Sequence, residues 1–345
     1  MHVKFAGLLI AGAIAVSACQ ENVAPTDRTE DPSLAKAAAP ITGTPAERAA
    51  QFAARINAGF EAAGKTIRLD EAWFFTVGPG TDPFRRLRTG ARWVNPRTVT
   101  YAVDTKTEDV VKHRFGASFT DSDVIAALLR SHERFNQVDN IVLNSTRVAY
   151  NGVGRNDDIL DGTFDAAGNC LDVVDVASPA IVDYNPATGN ISFNPVADNF
   201  FGGWLPSNYF LSCFGSNSII GVTWSFSDVD GALTGEKDGY PDRVYTEQFY
   251  NTFFAWNTTG AVFLDPSPQE VFDIETIVSH EVGHTHGLGH FGGPNVNQPF
   301  KLQPNGRVFD PEAVMNPFYL GGEKRDLLHT DIAALRALYA SKRLN

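Results

Sequence analysis

The chain has 345 residues, enough for one large domain or two modest ones. Hydrophobic residues make up 43% and charged residues 20%, so a packed core is expected and wholesale disorder is excluded. Lys+Arg number 28 against 40 Asp+Glu, a net charge of −12 that argues against a basic nucleic-acid binder. Three cysteines are too few for a disulfide-built mini-domain or a four-cysteine zinc site.

Residues 1–18 read as an export signal: Lys4 supplies the positive charge, and the run from Phe5 to Ala18 is apolar but short for a membrane span. Val16-Ser17-Ala18-Cys19 resembles a bacterial lipobox, in which Cys19 becomes the lipidated first residue of the mature chain. An ordinary signal peptide, with Cys19 incidental, is the alternative. Membrane contact is then expected through the lipid alone, with the body in the cell envelope or secreted. In an oxidising compartment Cys170 and Cys213 are expected to pair, the alternative being two buried thiols.

Residues 19–43, rich in Ala, Pro, Thr and charge, read as a flexible tether. A helix starts at Thr44-Pro45-Ala46-Glu47, a capping box with proline at its first turn. Phe52, Ile56 and Phe60 form its apolar face, and Gly64 is a stop signal. Trp73–Val77 is strand-like and Gly78-Pro79-Gly80 breaks it. Residues 44–90 are thus an N-terminal extension of unknown role, ahead of a main domain over 91–345.

Arg97–Val103 suits a strand. A helix from Asp121 carries Val124, Leu128, Ser131 and Phe135 on one face, capped by Thr120 with Asp123. Ile141–Tyr150 alternates as a strand does, and residues 151–215 resist assignment. Ile219–Phe226 and Arg243–Phe249 read as a hairpin around an acidic loop that includes Asp228, Asp230 and Asp238. Calcium favours such oxygen-rich loops, but the spacing is no EF-hand, and a solvated acidic loop is the competing reading. Helices are expected over Asp273–Thr285 and Asp331–Ser341.

The decisive run is His280-Glu-Val-Gly-His284-Thr-His-Gly287-Leu-Gly-His290. On a helix His280 and His284 lie about 40° apart in azimuth and about 6 Å apart along the axis, so their imidazoles lean towards one point. Gly287 can end the helix with positive φ and bring His290 back as a third ligand. Three histidines with an open fourth position mark a catalytic rather than a structural zinc site. Glu281 lies beside them as a general base, and a carboxylate there has no purpose in a purely structural site. His286 falls about 240° round from His280 and points away.

This run is similar to the HExxHxxGxxH signature of the metzincin metalloproteases. Ala313-Val-Met315-Asn-Pro-Phe-Tyr319 resembles the methionine turn of the matrixins within that group. Asp273–His280 resembles their approach to the zinc helix, and Leu327–Tyr339 their last helix. The resemblance implies an α+β, zincin-like fold. It would have a twisted, mostly parallel five-stranded sheet, two long helices, a zinc cleft and a small C-terminal subdomain. It implies one catalytic Zn2+, Met315 as a floor under the imidazoles, and Tyr319 as a pocket wall, unless that tyrosine is simply core. The implied activity is a zinc endopeptidase acting on protein or peptide substrates, as a monomer. Phe291 departs from the usual serine after the third histidine, and the stretch from His290 to Met315 is long. No Pro-Arg-Cys-Gly-x-Pro-Asp switch occurs, so cysteine latency is not implied, and the lack of histidine between His132 and His280 speaks against a second zinc. The competing functions are a lipoprotein that binds zinc without peptidase activity, and a zinc hydrolase acting on peptidoglycan.

Overall fold

The structure is a computed structural model. It describes residues 41–62, 64–77, 91–103, 120–150, 169–170, 182–185, 190–193, 196–228, 242–258, 262–263, 270–290, 313–316, 318–319 and 323–340. Cys19, Asp230 and Asp238 lie outside these residues, as does Phe291.

The chain opens with α1 (Pro45–Ala62) and β1 (Ile67–Val77), then β2 (Arg92–Trp93), β3 (Val99–Val103), α2 (Asp121–Asn136) and β4 (Ser145–Arg147). A small hairpin, β5 (Val182–Asn185) and β6 (Asn190–Phe193), precedes β7 (Asn199–Leu205), α3 (Ser207–Phe214), β8 (Ile219–Asp228) and β9 (Asp242–Asn251). β10 (Ala255–Asn257), β11 (Val262–Phe263) and β12 (Glu270–Asp273) form a second small sheet leading into α4 (Ile274–Thr285). β13 (Phe318–Tyr319) and α5 (His329–Tyr339) complete it. Among the described residues no helix is long and apolar enough to cross a membrane.

The main sheet runs β13-β1-β8-β9-β7-β3-β4, with β2 paired to β9. Pairing is antiparallel at β1–β8 and β8–β9 and parallel elsewhere. The expected mixed architecture with a mostly parallel sheet is therefore present, but the sheet has eight strands rather than five. The count of five came with the resemblance; β8, β9, β7, β3 and β4 make five, and β1, β13 and the two-residue β2 pair onto them as well.

Two apolar layers cover the sheet. On one face Phe52, Ile56 and Phe60 of α1 pack with Tyr209, Phe210 and Phe214 of α3 against Phe74 and Trp224. On the other, α2 and α4 pack through Val124, Leu128, Phe135, Ile277 and Val278, and α5 adds Leu335 and Tyr339. Burying each such aromatic or aliphatic side chain stabilises by about 1.5–3 kcal/mol, before conformational entropy is set against it. β1 serves both layers: Ala72 and Phe74 face the α1 side, Phe75 the α4 side. Residues 37–345 form one compact unit, so α1 and β1 of the 44–90 segment are built into the body.

Local chemistry explains the boundaries. Thr44 accepts from the Glu47 N–H while the Glu47 carboxylate takes the Thr44 N–H, the reciprocal box expected at the start of α1. Thr120 and Asp123 do the same for α2. Ile141–Tyr150 is strand only over Ser145–Arg147. Upstream of it the backbone is drawn elsewhere, as Val142 N–H donates to the Tyr339 carbonyl and Asn136 grips the Ser145 backbone through both amide atoms. The unassigned stretch 151–215 supplies β7 and α3. β7 reads Asn-Phe-Phe-Gly-Gly-Trp-Leu and is buried throughout, so it lacks the alternation that betrays a half-exposed strand.

Candidate metal centre

α4 begins at Asp273, whose carboxylate accepts from the Thr276 N–H and is clasped by the Arg325 guanidinium through two contacts of 2.8 Å. Two residues on, Glu275 is held by Arg130 and Arg134 of α2. These buried acids at a helix N-terminus fix the start of α4 and complement its dipole. The far end closes on Gly287, at φ +86°. Leu288 N–H returns to the Gly283 carbonyl and Gly287 N–H to that of His284, a Schellman stop. A Cβ at Gly287 would also strike the Ala91 carbonyl, so both backbone conformation and space demand glycine.

That stop delivers His290. The Nε2 atoms of His280, His284 and His290 lie 3.0–3.1 Å from one another. Nδ1 of His280 faces the Val314 carbonyl at 2.6 Å, and Nδ1 of His284 faces the Leu288 carbonyl at 2.8 Å. A carbonyl only accepts, so both Nδ1 atoms carry the proton and both Nε2 atoms present lone pairs. Burial drives the His280 and His284 pKa values well below the usual range, so both rings are neutral. Converging lone pairs repel unless a cation binds them. Tetrahedral zinc with nitrogen ligands would set the nitrogens about 3.3 Å apart, close to what is seen. The three histidines together can hold a metal ion, and they are the one such group among the described residues.

Glu281 is buried beside them. Its Oε2 accepts from the Thr223 hydroxyl on β8, while Oε1 has no hydrogen-bond partner among the described residues. Burial pushes its carboxyl up to about 8, with the Thr223 bond opposing. Gly221 makes room for it, since a Cβ there would come within 2.8 Å of Oε1.

Met315 lies under α4, fully buried, and a Cβ at Gly283 would collide with its sulfur. The first glycine of the histidine run is therefore a seat for Met315. Asp331 of α5 pins the turn by accepting the Val314, Met315 and Leu328 N–H groups. Tyr319 is buried against Phe272 and Phe75. His286 turns away from the triad and packs against His132 and Phe135. Cys170 and Cys213 are joined in a disulfide, Cα atoms 4.9 Å apart, remote in sequence from these ligands. Asp228 is buried at the end of β8 opposite Asp242.

Several residues that shape the centre carry no local sequence signal. Trp73 lies flat on His284, and Phe75 lies flat on His280 with ring centroids 3.9 Å apart. Arg243, fully buried, donates to the last carbonyls of α4 at His284 and Thr285 and pairs with Glu71 of β1. In doing so it satisfies helix-end carbonyls that would otherwise be orphaned. No family model and no curated protein matches the chain.

Proposed function

We propose that this chain is a zinc-dependent endopeptidase of the metzincin type, most like the matrixins. The observation that carries the reading is the set of three Nε2 atoms 3.0–3.1 Å apart, two of them fixed in the lone-pair tautomer by backbone carbonyls. An all-imidazole set suits zinc over the hard, oxygen-seeking cations. The unpartnered Oε1 of Glu281 supports a group kept for proton transfer. When bound, zinc supplies a Lewis acid that polarises the scissile carbonyl and acidifies water.

The chain's own residues do the rest. His280, His284 and His290 would bind the ion through three nitrogens, leaving its fourth position to water or substrate. Glu281 takes the proton of the attacking water at Oε1 and delivers it to the departing nitrogen. Thr223 fixes the carboxylate by holding Oε2. Gly283 and Asp331 keep Met315 and its turn beneath the ligand rings. Tyr319 walls the side of the cleft next to Phe272.

We place the site of action outside the cytoplasm, with Cys19 as the lipid anchor in the cell envelope. The Cys170–Cys213 disulfide supports an oxidising compartment. The test is zinc content by elemental analysis for wild type and His284→Ala, together with digestion of casein and of purified peptidoglycan. The proposal expects near one zinc per chain, lost in the variant, and cleavage of casein only, by whichever form of the chain is active. Cleavage of peptidoglycan alone would replace the endopeptidase reading.

A further inference from the structure

A site that cuts proteins has to admit an extended chain. Here Glu281 and His284 are 0% exposed and His280 1%. The cover is β1. Its Trp73 ring stacks on His284 and meets His290 edge-on at 5.2 Å, and its Phe75 ring stacks on His280. One edge of β1 is zipped antiparallel to β8 from Ile67↔Asp228 to Thr76↔Ile219. The other runs parallel to β13 through Thr76↔Phe318 and Val77↔Tyr319. β8 is the strand that carries Thr223 and Gly221, the two residues against Glu281. A peptide approaching Glu281 as an added strand on β8 would need the hydrogen bonds that β1 already makes.

Resting on the peptidase reading, we propose that β1 is an occluding strand, and that displacing residues 67–77 from between β8 and β13 opens the site. The hold is specific. Glu71 pairs with Arg243, which also grips the His284 and Thr285 carbonyls, and Trp73 donates its indole N–H to Glu71 at 3.2 Å. The latch thus ties β1 to the end of the helix that carries the ligands. The zipper is interrupted where the β1–β8 register shifts between Leu69 and Glu71, beside that latch. Removing β1 leaves the pairings among β8, β9, β7, β3 and β4 untouched, so the scaffold for the histidines does not depend on it for connectivity.

The experiment uses the full, zinc-loaded chain with a site-specific protease sequence inserted between Val77 and Ala91. An apolar peptide hydroxamate is titrated by calorimetry before and after cutting, with and without Glu71→Gln. Zinc content, circular dichroism and amide exchange of β8 are read on the same samples. Cutting should tighten hydroxamate binding at least about tenfold, as expected when the competent state goes from minor to major. Glu71→Gln should move the intact chain part of the way and the cut chain further, and β8 amides should exchange faster. Equal affinity in intact and cut Glu71→Gln chains would overturn the proposal. So would loss of zinc or of helix signal on cutting, because β1 would then be a structural member of the site. Hydroxamate binding needs no turnover, so a cut chain that binds but cleaves nothing upholds the occluding strand and removes the peptidase reading.

Discussion

Trp73 lies flat against His284, ring centroids 4.8 Å apart and planes 9° from parallel, although 211 residues of chain separate them. The contact joins an N-terminal strand to the C-terminal end of the ligand helix. It covers one imidazole face, while the orientation of the ring is set by the Leu288 carbonyl at Nδ1.

Gly283→Ala should show how closely Met315 is seated. The added methyl overlaps the thioether sulfur, so the turn or the helix has to move. Overpacking of this sort costs about 1–3 kcal/mol. Thermal melts should shift down, and zinc should be lost to a chelator sooner than from wild type. Unchanged melting and unchanged zinc retention would contradict the contact.

Asp70 provides a pH signature. Burial pushes its carboxyl up to about 7, the neighbouring Glu71 adds to the shift, and Arg243 opposes it. The folded value lies above the ordinary 3.8, so the folded chain holds the proton more tightly than the unfolded one. That contribution to stability is full below the unfolded value and is lost as pH rises through about 7. Asp70→Asn removes the titration while keeping the shape. Its melting temperature should therefore fall less than that of wild type between about pH 4 and about pH 7. Parallel curves for the two proteins would contradict the assignment.

The Cys170–Cys213 disulfide closes a 43-residue separation. Restricting the unfolded chain in this way stabilises by about 2–4 kcal/mol. Reduction should lower the melting temperature and expose two alkylatable thiols. Two free thiols without reductant would show that the bond does not form.

What the sequence made legible was local. His280, His284, Gly287 and His290 sit within eleven residues, and helix geometry with one left-handed glycine converts that spacing directly into a metal site. The Thr44 and Thr120 caps were readable for the same reason, since donor and acceptor are three residues apart. The surroundings were not. Glu71 and Arg243 are 172 residues apart, and neither has a local pattern that signals burial. β1 read as part of an extension because Trp73 and Phe75 alternate with Ala72 and Phe74, all of them apolar, so no polar face marked where the strand would lie. β7 was illegible for a related reason, being buried on both faces.

The most direct test of the central claim is Glu281→Gln, measured beside wild type in the cut and uncut forms, with zinc determined on every sample. Three histidines already fill the protein's share of a catalytic zinc site, so the substitution should leave zinc near one per chain and the fold intact. Loss of the base should reduce peptide turnover by about 10²–10⁴-fold in whichever form is active. Turnover within a few-fold of wild type, with zinc retained, would contradict the assignment of Glu281 as the proton carrier and with it the proposed mechanism.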